Sequence, residues 1–135
     1  MFVLLEHNTT LADQPSTARA DLHWDLLIQT PAQERLLSWR LARNPLETTA
    51  EIPATRIQDH HPRFLQFEGK LSRAPGFVRR LDRGPAGVEH LAPDTIAVTL
   101  EGQNLRGRFE IGPGHEGQTV FRRAEQQSLE PPPSR

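Results

Sequence analysis

Short apolar runs, each broken within a few residues by Gly, Pro or Asn, constrain this chain more than any other feature. Thr95-Ile96-Ala97-Val98-Thr99-Leu100 and Leu105-Arg106-Gly107-Arg108-Phe109-Glu110-Ile111 alternate apolar with polar residues, the period of a strand with one buried face. Glu101-Gly102-Gln103-Asn104 lies between them and predicts a hairpin turn. Phe2–Glu6, His23–Gln29, Arg35–Leu41, Phe64–Glu68, Phe77–Leu81 and Thr119–Arg122 read as further strands. No long apolar stripe of helical period competes, and short helical turns are expected only around Ser16–Asp21 and Pro85–Leu91. About eight short strands predict an all-β fold, a compact single-domain β-barrel or a strongly curved sandwich. A chain of 135 residues suits one domain with its own core. That domain is expected over residues 1–123, with a polar surface loop at Asn8–Asp21. Residues 124–135 end in Ser-Leu-Glu-Pro-Pro-Pro-Ser-Arg and predict a disordered tail.

The chemistry concentrates in His23-Trp24-Asp25-Leu26-Leu27-Ile28. In a strand, residues two apart share a face at roughly 6–7 Å. His23 and Asp25 therefore point one way, while Trp24, Leu26 and Ile28 point the other. An imidazole beside a carboxylate supplies two ligands for a divalent metal. His7 and His60 lie near the ends of other apolar runs and can converge on the same place. With no cysteine in the chain, any metal must be held by His and carboxylate. Trp24 and Trp39 read as core aromatics. In Phe67-Glu68-Gly69 the glycine permits a turn and the glutamate serves a supporting role.

Charge narrows the partners. The net charge of −1 excludes a molecule that binds nucleic acid by overall attraction. Locally the picture differs: Arg56, Arg63, Lys70, Arg73, Arg79, Arg80 and Arg83 face only Asp59, Glu68 and Asp82 over residues 56–83. Lys70 is the sole lysine, and arginine suits two-pronged phosphate recognition, although a GC-rich genome produces the same bias. The start, Met1–Glu6, is too short and too quickly acidic for a signal peptide, and no apolar run reaches membrane length. A soluble cytoplasmic monomer is expected.

In chain order, the words Phe2-Val3-Leu4-Leu5-Glu6-His7, His23-Trp24-Asp25-Leu26, Trp39, Asp59-His60, Phe67-Glu68-Gly69, Asp82-Arg83-Gly84 and Leu100–Gly107 occur together. This series resembles the 3′-phosphoesterase domain of bacterial DNA ligase D and its stand-alone relatives, over roughly residues 2–123. The resemblance implies a β-barrel with a manganese-dependent site that trims a 3′-terminal ribonucleotide and removes a 3′-phosphate from primer–template ends. It also implies a place in end-joining repair, with the ligase and Ku machinery as partners. Carried over by position, the metal ligands fall on His7, His23 and Asp25, and the further site histidine, the catalytic candidate, on His60. A basic residue near a proline falls on Arg43. Arg56 is a second candidate for phosphate.

Two positions depart from the family pattern. Leu27 stands where the family has a phosphate-contacting arginine, and by alternation it shares the face of His23 and Asp25. Phe64 stands where the family has tyrosine. An arginine placed at position 27 is expected to restore a phosphate contact, provided the position is open. These departures keep a second reading alive, a catalytically weak module that binds DNA ends or nucleotides. A barrel with a purely structural metal fits less well, because closed structural zinc sites usually take four ligands.

Overall fold

The computed structural model describes residues 1–9, 22–71 and 76–124. The expected turn at Ser16–Asp21, most of the Asn8–Asp21 loop and the tail from 125 onward lie outside these residues. Ten strands form: β1 (Phe2–Asn8), β2 (Leu22–Thr30), β3 (Gln33–Leu41), β4 (Ile52–His60), β5 (Gly69–Lys70), β6 (Phe77–Gly84), β7 (Ala86–Ala92), β8 (Thr95–Glu101), β9 (Arg106–Pro113) and β10 (Thr119–Arg123). All the strand pairings are antiparallel, in the order β5-β6-β1-β2-β3-β4-β10-β9-β8-β7. The all-β expectation holds. Among the described residues the ten strands make one sheet with β5 and β7 at its edges and no ladder joining them, so closure into a barrel is not shown.

Three strands escaped the sequence pattern, the two-residue β5 among them, and one expected strand is absent. β4 is interrupted by Pro53 and carries Thr55, Arg56 and Gln58, so its apolar alternation is weak. β7 was expected to be a helical turn; as an edge strand with mostly exposed residues it needs little apolar content. Phe64–Glu68 is not a strand. Pro62–Leu65 forms a 3-10 turn, capped where the Arg63 N–H donates to His61 Nδ1 at 3.0 Å.

The sheet divides into a six-stranded half (β1–β6) and a four-stranded half (β7–β10). Only two residue pairs, Val120 with Pro53 and Phe121 with Ile52, join them along the ladder. The sheet curls so that the halves face each other across Phe2, Leu4, Trp24, Leu26, Ile28, Trp39, Leu100, Phe109 and Phe121. Phe109 and Phe121 stack at 4.9 Å. Both tryptophans are core residues, as expected.

A second, smaller core lies on the other face of the six-stranded half. Val3, Leu5, Leu27, Leu36 and Val78 are buried there beneath Phe64, Leu65, Phe67 and Leu71. This explains why Trp24 to Ile28 are buried without a break although β2 alternates. Both faces of β2 are covered, one by the opposite half and one by the 62–71 segment. The described residues include no helix long and apolar enough to cross a membrane.

Candidate functional site

Strand register assembles the candidate residues. His7 pairs with His23 across β1 and β2, two residues along from Leu5 with Asp25. Asp25 in turn faces Arg40 on β3. Alternation puts His7, His23, Asp25 and Arg40 on one face, beside the smaller core, with Trp24, Leu26 and Trp39 on the other. The His7 and His23 rings lie 6.3 Å apart, centre to centre.

Asp25 is buried, and it is held in a fork: Arg40 Nε donates to one oxygen at 3.1 Å and Nη2 to the other at 3.4 Å. Arg40 was not among the expected residues. Its signal was present in Leu37-Ser38-Trp39-Arg40-Leu41, where alternation opposes Arg40 to Trp39. Only the register reveals that it meets Asp25.

His60 arrives from the end of β4. A bulge between β3 and β4 shifts the register there, and the ring leans back over Ser38. Nδ1 lies 2.9 Å from Ser38 Oγ and 3.0 Å from the Gln58 carbonyl oxygen. A carbonyl only accepts, so Nδ1 carries the proton, and the neutral ring presents the lone pair of Nε2. Ser38 passes its own hydroxyl proton to the Leu36 carbonyl at 2.9 Å. Burial pushes the His60 imidazole below its ordinary value; Asp25 and the Gln58 carbonyl oppose this, and Arg40 adds to it. Burial likewise lowers His23, with Arg40 and His7 adding to the effect against the pull of Asp25. Two imidazoles, both held toward the neutral form, thus share one electrostatic neighbourhood with Asp25 and Arg40. A metal requires imidazole in that protonation state.

The other expected residues fall elsewhere. Arg56 pairs with Trp39 and shares the tryptophan's face, so the sheet lies between it and Asp25. Its guanidinium sits 5.0 Å from the Trp39 ring centre and bonds Asp59, Ser38 and Ile57. Arg43 is exposed just beyond β3, at the end of the sheet where His7 and His23 lie. Leu27 does share the face of His23 and Asp25, but it is fully buried in the smaller core. The position is not open. Phe64 sets its ring edge-on against His60 at 5.3 Å.

Three of the motif words prove structural. Glu68 accepts the Arg80 backbone N–H at 2.8 Å. Asp82 accepts the N–H groups of Gln103, Asn104 and Leu105 at 2.9, 2.9 and 2.6 Å, so it fixes the turn between β8 and β9. Gly102 leaves room for that carboxylate: a Cβ there would lie 2.3 Å from Asp82 Oδ2.

Two imidazoles and a carboxylate are donors that manganese accepts. His7, His23 and Asp25 fit such an ion in donor type, and a carboxylate has about four lone-pair sites, of which Arg40 takes two. Yet no group of three or more His, Asp or Glu side chains among the described residues is gathered closely enough to hold a metal.

An antiparallel sheet with a His–Asp–Arg cluster on one face defines a class of small all-β proteins with a polar surface site. The chain belongs to the DNA ligase D 3′-phosphoesterase domain family, whose model matches residues 14–112. That span includes His23, Asp25, Arg40 and His60 and leaves His7 outside, so the placement of His7 rests on the strand register. A search of curated proteins gives no significant match.

Proposed function

We propose that the protein is a manganese-dependent phosphoesterase that processes nucleic-acid 3′ ends, removing a terminal ribonucleoside or phosphate during end-joining repair. Its partners on this reading are recessed 3′ ends and the ligase and Ku machinery. The observation that carries the proposal is that strand register puts His7, His23, Asp25 and His60 on one sheet face, where a bound ion would have to draw its donors together. His7, His23 and Asp25 would hold the ion, which when bound polarises a phosphate and acidifies water. His60 is fixed through Nδ1 by Ser38 and Gln58, so its Nε2 is aimed and able to take or return a proton. Arg43, at the same end of the sheet, offers a cation to the substrate backbone.

Manganese titration followed by NMR tests the metal. Sub-stoichiometric Mn²⁺ is expected to broaden signals around His7, His23 and Asp25 together, and Asp25→Ala to abolish this. Incubation with Mn²⁺ and a recessed 3′ end, ribonucleotide-terminated or 3′-phosphorylated, tests the chemistry. Turnover that vanishes in His23→Ala supports the reading, and 3′-phosphate removal is expected to be the weaker activity because Phe64 has no hydroxyl.

One observation favours a second reading, a binding module without turnover: Arg40 already engages both oxygens of Asp25. Salt-sensitive binding of 3′ ends with no product at stoichiometric protein would select it.

A further inference from the structure

Arg40 is half in and half out of the protein. Its side chain is 37% exposed, against 6% for the Asp25 side chain that it grips. A guanidinium has five N–H donors. Nε and one hydrogen of Nη2 are spent on Asp25, and the outer edge, Nη1 included, takes no part in that fork. The carboxylate holds the guanidinium plane and cancels its charge cost in the sheet, and both His23 and His60 lie within its electrostatic reach. On the same face, position 27 contributes only buried leucine. Arg56 is on the far side of the sheet.

We propose that Arg40 is the residue that recognises a terminal phosphate monoester, with Asp25 as the group that orients it. A planar edge of N–H donors, fixed from behind by Asp25 and facing solvent, matches two oxygens of a phosphate. A 3′-hydroxyl end offers such oxygens only on its internal phosphodiesters, not at the terminus. The assignment rests on the 3′-end reading above and adds a specificity-determining residue to it.

Metal-free binding tests it, so that no role of Asp25 as a ligand intervenes. Fluorescence anisotropy in EDTA compares a duplex with a recessed 3′-phosphate and the same duplex with a 3′-hydroxyl. The wild-type protein is expected to prefer the phosphate by about tenfold, the lower end for a charge-assisted pair of hydrogen bonds. Arg40→Gln is expected to bring the two affinities together. Because that variant strands a buried carboxylate, the double variant Arg40→Gln with Asp25→Asn supplies a neutral pair of similar shape, and it should also lose the preference. Arg108→Gln, whose residue pairs with Glu89 in the other half of the sheet, controls for net charge and should keep it. A preference retained in both Arg40 variants overturns the assignment alone. A wild-type protein that fails to tell the two ends apart, with or without Mn²⁺, overturns the assignment and the 3′-end reading together.

Discussion

Asp82 shows how much one carboxylate can organise. It is buried and accepts four backbone N–H groups, three from the turn at 103–105 and one from Arg83. Asp82→Ala leaves the turn donors without an acceptor and is expected to cost about 2–4 kcal/mol by urea unfolding. Burial raises the Asp82 carboxyl, but the N–H groups outweigh it and hold it below the ordinary 3.8. The unfolded chain therefore takes up this proton first. The stabilisation is complete above roughly pH 5 and is lost as pH falls through the depressed folded value. In Asp82→Asn, stability should depend less on pH across that acidic window. Leu27 carries the opposite lesson. Since it is fully buried, Leu27→Arg is expected to destabilise by about 3–5 kcal/mol, or to prevent folding, without restoring a phosphate contact. Normal stability with tighter binding of 3′-phosphate would contradict its placement.

At the scale of elements, the corner where the chain leaves β6 for β7, from one half of the sheet to the other, passes the end of β8 so closely that its glycines are not equivalent. A Cβ on Gly84 would lie 2.3 Å from the Glu101 carbonyl oxygen, which is backbone and cannot yield, whereas one on Gly87 meets nothing within 4 Å. Gly84→Ala is expected to cost about 1–3 kcal/mol, and Gly87→Ala to stay within about 0.5 kcal/mol of wild type. Equal thermal shifts for the two would exclude the close approach. The 62–71 segment is the other decisive element. It closes the smaller core with Phe64, Leu65 and Phe67, and its Phe64 ring braces His60. The expected phosphoesterase tyrosine is thus replaced by a purely apolar wall beside the catalytic candidate.

For the whole molecule, the two halves of the sheet share few ladder pairs but one continuous core. Phe121 sits at the joint, paired with Ile52 and stacked on Phe109. Phe121→Ala should cost about 3–5 kcal/mol. Unfolding should remain a single transition, with tryptophan fluorescence and far-UV circular dichroism coincident, because Trp24 and Trp39 line that same core. Two separated transitions would mean that the halves fold independently. Local pattern was enough to indicate an all-β chain, both core tryptophans and the shared face of His23 and Asp25, since strand alternation is a property of neighbours in sequence. It was also enough to order the motif words that suggest the family. It could not supply β4 and β7, whose residues answer to pairing rather than to burial, nor the edges at which the sheet stays open. Position 27 looked available because alternation names a face, whereas its burial depends on the distant 62–71 segment. Arg56 and Arg40 are both strand arginines near Trp39, and only register separates them. It sends one to the tryptophan and the other to Asp25, because a strand's partners are fixed by the sheet as a whole.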